Sequence, residues 1–250
     1  MRFRFRVFVL SCFRGGSLLF AQEPARISDN SFLIEEAYNQ EPGVVQHIST
    51  LVLTEGGDWA YGFTQEWPFF GQRHQLSYTV PLARIEGLAE APIKLGDVAL
   101  NYRLQLTSRP NGFAISPRVS LLLPTGDETT GHGSGQAGVQ LNLPVSIPIG
   151  SRVVTHFNAG VTYLDKEDYS LGASAILLLS PTFNLMLEGV WSDSEGEFLN
   201  PGMRYAINTK GGLQIVPGVA YTIGLGPHRG ENRVFLYLSF EHAFRRTAGS

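Results

Sequence analysis

The chain has 250 residues and a net charge of −3, with 43% hydrophobic and only 16% charged residues. That charge excludes the concentrated basic surface that nucleic-acid binding needs. Soluble domains carry about 25% charged residues, yet no apolar run here reaches the ~18 residues of a membrane helix, so the composition asks for a fold that spreads apolar residues over alternate positions.

The first 21 residues read as a signal peptide. Arg2, Arg4 and Arg6 give a basic start, an apolar core follows, Arg14 interrupts it, and Ala21 supplies the small residue before cleavage. The single cysteine, Cys12, lies in this leader, so the rest of the chain has neither disulfide nor thiol chemistry. Loss of the four leader arginines takes the net charge from −3 to near −7. Residues 22–43 are polar apart from Phe32, Leu33 and Ile34, and are expected to form a periplasmic N-terminal segment.

From Val44 onward strand patterns follow one another. Twelve are expected, over 44–54, 58–67, 73–81, 96–107, 113–123, 137–147, 152–163, 169–179, 183–192, 201–208, 213–223 and 233–244. The clearest is the fourth: Val98, Leu100, Tyr102, Leu104 and Leu106 alternate with Asp97, Ala99, Asn101, Arg103 and Gln105. A period of two sends these sets to opposite faces of a sheet. Strands two, five, six and eleven alternate as well, while the first and seventh do so poorly. Pro117 and Pro217 fall inside strands, where a missing ladder donor predicts bulges or breaks. Residues 245–250 form a short tail.

The connections supply a second test. After even strands they look short: 108–112, 148–151, 180–182 and 208–212. After odd strands several look longer: 82–95, 124–136, 192–200 and 224–232. Short turns on one side and long loops on the other are the asymmetry of outer-membrane barrels. Aromatics near strand ends, such as Trp59, Trp67, Tyr78, Phe113, Tyr163 and Trp191, suit a bilayer interface. The fold class expected is therefore all-β: a single up-and-down antiparallel transmembrane β-barrel of about 12 strands over 44–244, located in the cell outer membrane.

Parity aims Glu66, Asp97, Arg103, Arg118, Glu188, Arg204 and Glu241 into the lumen, as candidates to line a path and set its selectivity. The reverse parity would put arginine against lipid at a cost of roughly 2–4 kcal/mol. A filled interior in which these charges pair with one another is the competing arrangement. Gly131-His132-Gly133-Ser134 resembles part of the site of outer-membrane phospholipases, but no third group is identifiable and no G-x-S-x-G elbow exists. The six histidines show no metal spacing. Two acidic loops, with Asp165, Glu167 and Asp168 and with Asp193, Glu195 and Glu197, fit no ordered calcium pattern. Neither catalysis, a metal nor a cofactor is expected.

A resemblance rests on the order of several segments. Asn30-Ser31-Phe32-Leu33-Ile34-Glu35-Glu36-Ala37-Tyr38-Asn39-Gln40 leads into Glu41-Pro42-Gly43-Val44. Gly96-Asp97-Val98-Ala99-Leu100-Asn101-Tyr102-Arg103, Leu123-Pro124-Thr125-Gly126-Asp127 and Asn200-Pro201-Gly202-Met203-Arg204-Tyr205 follow. Together they resemble the bacterial outer-membrane barrel family labelled as transporters of the meta-pathway of phenol degradation. The resemblance implies a barrel that gives a small solute passive passage, with hydrophobic or aromatic solutes among the candidates. Its partners would be outer-membrane lipid, lipopolysaccharide, the barrel-assembly machinery and the solute, with no nucleic acid. A plugged structural or adhesive barrel is the alternative, followed by a lipid hydrolase and a soluble sandwich.

Overall fold

Every strand that the alternation marks is a stave of one closed ring. A computed structural model describes residue 27 and residues 30–86, 92–107 and 112–244. The staves are β1 (Val44–Thr54), β2 (Trp59–Pro68), β3 (His74–Arg84), β4 (Val98–Leu104), β5 (Ala114–Ile115 continued by Arg118–Leu123) and β6 (Gly138–Asn142 continued by Val145–Ile149). Then come β7 (Val153–Tyr163), β8 (Glu167–Ser180), β9 (Phe183–Ser192), β10 (Gly196–Tyr205 continued by Ile207–Asn208), β11 (Gln214–Gly224) and β12 (Arg233–Ala243). Each pairs antiparallel with its neighbours in sequence. β1 and β12 pair from Val44↔Ala243 to Thr54↔Arg233, which closes the ring. The protein is a 12-stranded antiparallel β-barrel. The signal-peptide residues, the 108–111 turn and the 245–250 tail lie outside the described residues.

The wall obeys the period-two rule. Leu100, Leu121, Leu141, Leu171, Leu187, Met203, Val219 and Leu236 are exposed on the outer surface. Their strand neighbours Asn101, Ser120, Glu188, Arg204 and Thr222 are buried inside. An apolar outer band around a ring without free edges is what a bilayer demands, because lipid offers no partner to an unpaired backbone group. The chain is thus an outer-membrane-type barrel.

Proline breaks the strand at 117, as the sequence predicts, but not at 217. Pro117 divides β5, but Arg103↔Arg118 pairing and the Leu104 N–H donated to the Pro117 carbonyl (3.0 Å) keep the register. Pro144 divides β6 beside it, and the Ser116 N–H donates to its carbonyl at 3.0 Å. Pro217 leaves β11 unbroken and in register with Leu238 of β12. Each proline lacks one donor, so each costs one rung and not a bulge. The register shift in the wall falls elsewhere, between Leu178 and Ser180 of β8.

Two boundaries are corrected. β10 begins at Gly196, so the expected long loop over 192–200 is a turn at 193–195. The turn-like residues Asn200 and Pro201 sit in mid-strand, where Glu188↔Asn200 and Leu187↔Pro201 pair normally. The described parts of the remaining long connections, 85–86 with 92–97, 124–137 and 225–232, do lie at the end of the barrel opposite the start of β1, and Ile93–Leu95 adds a short strand beside Leu82–Arg84. β4 is also shorter than expected, and Asp97 lies outside it.

The wall parity yields a direct test. Leu121→Arg places a cation on the outer face and is expected to cost about 2–4 kcal/mol in lipid. Thr79→Arg, aimed at an internal chamber beside Glu66, is expected to cost much less. Reversible unfolding in vesicles compares them, and equal losses contradict the parity.

Candidate functional site: the lumen and its N-terminal segment

The barrel interior is occupied by the protein's own N-terminal segment. The sequence treats 22–43 as a periplasmic lead-in; residues 30–40 instead run inside the ring. Ile27 sits by Arg152 and Pro181, at the end that holds the start of β1. Leu33, Ile34 and Glu35 reach mid-barrel, beside Glu188 and Asn158. The chain then returns past Ser146 and Gln75 to enter β1.

An irregular segment in a closed interior must find partners for its backbone. Wall side chains supply them. The N–H groups of Leu33 and Ile34 donate to Oε1 of Glu188 at 2.9 and 3.2 Å. Glu35 donates to Asn158 Oδ1, and Asn158 Nδ2 donates back to the Glu35 carbonyl, both at 2.9 Å. Ala37 donates to Ser146 Oγ (2.7 Å), Asn39 to Gln105 Oε1 (2.9 Å) and Gln40 to Gln75 Oε1 (2.7 Å). Ser31 and Ser174 hydroxyls meet at 2.8 Å. The wall thus reads the segment's backbone, at about 1 kcal/mol net for each ordinary bond.

Two buried charges anchor it. Arg103, 3% exposed, donates from Nε to Asn39 Oδ1 (2.8 Å), from Nη1 to the Glu36 carbonyl (3.0 Å) and from Nη2 to the Tyr38 carbonyl (2.8 Å). Glu35 and Glu66 carboxylates lie 3.9 Å from its nitrogens. Glu188 is fully buried, and besides Leu33 and Ile34 it accepts from Asn200 Nδ2 at 2.6 Å. Arg118 pairs with Glu35 at 3.0 Å. Burying a charge is tolerable only with this degree of hydrogen bonding.

Packing completes the fit. Phe32 stacks on Phe235 (centroids 5.4 Å) and meets Tyr237 at a tilt (5.3 Å, 43°). It joins Ile27, Ile48, Ile176, Met186, Val216 and Ala220 in an apolar cluster inside the ring. Inward glycines make room for it: a Cβ on Gly202 or Gly218 would meet the Phe32 ring at 2.7 or 2.6 Å, and one on Gly172 would strike Ile34. The interior is therefore uneven: along β8–β12 and β1 the apolar cluster around Phe32 sits among buried polar residues such as Ser174, Glu188, Asn200 and Arg204, while β2–β7 are polar.

Of the seven residues parity aims inward, Glu66, Arg103, Arg118, Glu188 and Arg204 meet around this segment; Arg204 donates to the Asn30 carbonyl. Glu241 is on the inner face, opposite Gln46 and Gln214 in register. Asp97 is elsewhere. It accepts from Ser134 N (2.7 Å), Ser134 Oγ (2.6 Å) and Gly126 N (3.0 Å), so it pins the 124–137 loop. Burial pushes its carboxyl up, but the bonds from Ser134 and Gly126 outweigh that and hold it below the usual range. Asp127 in the same loop is held far lower by Lys94, 2.6 Å away, and Thr129. Sequence parity missed Asn158, Ser146 and Gln75 as holders of the segment and His156 as the partner of Ser146. The alternation of the sixth strand aims Ser146 inward, but the seventh alternates poorly, and nothing local marked what these residues bind.

The loop motif carries no dyad. Ser134 is committed to Asp97 and to the Gln136 carbonyl, and His132 Nδ1 faces Thr130 Oγ1 at 3.0 Å. The acidic loops cap backbone: Asp193 accepts from Tyr169 N and Asp168 from Ser194 N. Among the described residues no three His, Cys, Asp or Glu side chains converge on one point.

Space remains on both sides of the segment. A cavity of about 360 Å³ lies over Leu33, Ile34 and Glu35, bounded by Arg118, Asn158 and Thr222. Another of about 150 Å³ lies between the segment and the β1–β4 wall, by Thr64, Glu66 and Thr79.

No family model and no curated protein matches the chain. Solved structures do. A COG4313 outer membrane channel from Pseudomonas putida F1 aligns with TM-score 0.60 at 12% identity, covering 83% of this chain and 98% of that one. A KdgM porin aligns at 0.55 with 10% identity, covering 80% and 99%. A KdgM porin in complex with disordered oligogalacturonate aligns at 0.52 with 8% identity, covering 81% and 99%. These similarities are of fold.

Arg103→Gln is expected to free residues 36–39, since all three of its hydrogen bonds end on them. It also takes the nearby cation from Glu66, which keeps its bond from Gln75 Nε2 (2.7 Å), and loss of one buried charged partner costs about 3–5 kcal/mol. Limited proteolysis should then cut near Tyr38 in the folded barrel. A variant as resistant as the native protein would contradict the anchoring role.

Proposed function

We propose that the protein passes a small solute across the outer membrane and that the segment 30–40 is the gate of that path. One observation carries this reading. The segment is held by side chains, while the wall around it closes without it through complete β12–β1 and β7–β8 ladders. Its withdrawal would therefore leave the ring intact. The cavities on either side of it are the parts of a path that the segment interrupts.

Several features support passage over a purely structural role. A barrel meant only to be filled needs no empty volume above its plug. The porin-like fold of the neighbours agrees with passage, and so does the sequence resemblance to transporters of the phenol meta-pathway. The apolar cluster around Phe32 beside polar wall residues suits a solute with an apolar body and a polar group, which agrees with aromatic compounds among the candidate solutes. Residues 30–43 then enter from the periplasmic side, and 124–137 lies outside.

A cross-link tests the gate. Ser31→Cys with Ser174→Cys replaces two hydroxyls that are 2.8 Å apart and is expected to form a disulfide on oxidation. The oxidised barrel should show neither single-channel conductance nor uptake of small phenols into liposomes, and reduction should restore both. Equal passage in the two redox states would contradict gating by this segment. Native protein that folds fully yet passes nothing in either assay would favour the plugged structural barrel.

A further inference from the structure

We propose that His47 and His242 form a clip for a divalent transition-metal ion, Zn²⁺, Ni²⁺ or Cu²⁺, across the seam where the first strand meets the last. His47 belongs to β1 and His242 to β12, the two strands whose pairing closes the ring. Both rings lie on the outer face, opposite in parity to Gln46 and Glu241. Their Nε2 atoms are 3.3 Å apart. Two imidazole nitrogens bound at 2.0–2.1 Å to a tetrahedral ion stand about 3.3–3.4 Å apart, so the spacing already matches that of a bound ion.

The ring orientations agree. His242 Nδ1 lies 3.3 Å from the Ala243 carbonyl. A proton on that nitrogen donates to the carbonyl and leaves Nε2 with a free lone pair, the second-shell arrangement that ligating histidines use. The rings lie nearly parallel, with centroids 5.4 Å apart and planes at 21°, and Phe63 stacks on the other side of His47 at 6.2 Å. Packing thus holds His47 in place before any ion arrives.

Depth fits as well. His47 is three residues from the start of β1, about 10 Å along the strand, close to the water boundary at the end that carries the termini. Water can therefore fill the remaining coordination positions, which a site of two protein ligands requires. Imidazole donors favour borderline ions such as these over Ca²⁺ or Mg²⁺. A bound ion would tie the two strands whose separation is the first step in opening the ring.

Purified full-length barrel in detergent tests this with the metals alone. ZnCl₂ should raise the melting temperature, EDTA should reverse the rise, and CaCl₂ should give none. Loss of an outer-shell partner alone typically weakens metal binding 10–100-fold, so His47→Gln or His242→Gln should weaken Zn²⁺ affinity about tenfold or more. Both side chains face outward, and a heat-modifiable gel band checks that each variant folds. Cu²⁺ added to the native protein should show nitrogen hyperfine splitting from two imidazoles in its paramagnetic resonance spectrum, reduced to one at most in each variant. No shift with ZnCl₂, a shift that survives both substitutions, or a copper spectrum without imidazole nitrogens would overturn the proposal.

Discussion

Closure of the β1–β12 seam is the condition on which the rest of the structure depends. In lipid an open strand edge has no solvent to pair with. Eleven consecutive residues of β1 face eleven of β12 without a break. Once the ring closes, the strand period fixes everything radial: alternate residues meet hydrocarbon, and the others meet one another or the N-terminal segment. Proline at 117, 144 and 217 is survivable because each removes a single rung from a wall whose register the other rungs already set.

Closure in turn creates the problem that the N-terminal segment solves. A 12-stranded ring is too wide for its own side chains to fill, since about eight strands is the size at which they just suffice. Wall residues with buried polar groups would otherwise face a void or disordered water. Glu188, Asn158, Ser146, Gln105 and Gln75 find their partners in the backbone of residues 33–40. The segment gains backbone partners and the wall gains counter-groups. None of these bonds is part of the ladder, so the same contacts can hold the segment and still let it leave without opening the wall.

Much of the wall was legible in the sequence because its code is local. Leu100 and Asn101 announce their faces by their neighbours, and the inward aim of Arg103, Arg118 and Glu188 follows. Boundaries failed where residue chemistry misled: Asn200, next to Pro201, reads as the end of a loop and is mid-strand. Asp97 fits the parity of β4 but lies just beyond its ladder, where loop amides claim its carboxylate. The occupied lumen was not legible. Residues 30–40 have no period, and their hydrogen-bond partners lie up to 174 positions away in the chain, as Arg204 does from Asn30. The clues were indirect: three inward glycines at 172, 202 and 218, and inward apolar residues such as Ile176, Met186 and Val216 where a wet lumen would want polar ones.

The central claim is that residues 30–40 lie inside the folded ring with their amides bonded to the wall. Hydrogen–deuterium exchange of the full-length barrel tests it most directly. The Leu33 and Ile34 amides should exchange slowly, far closer to the amides of β8 and β9 than to those of the exposed turn at Gly56 and Gly57. Exchange at Leu33 and Ile34 as fast as in that turn would place the segment outside the lumen and contradict the account.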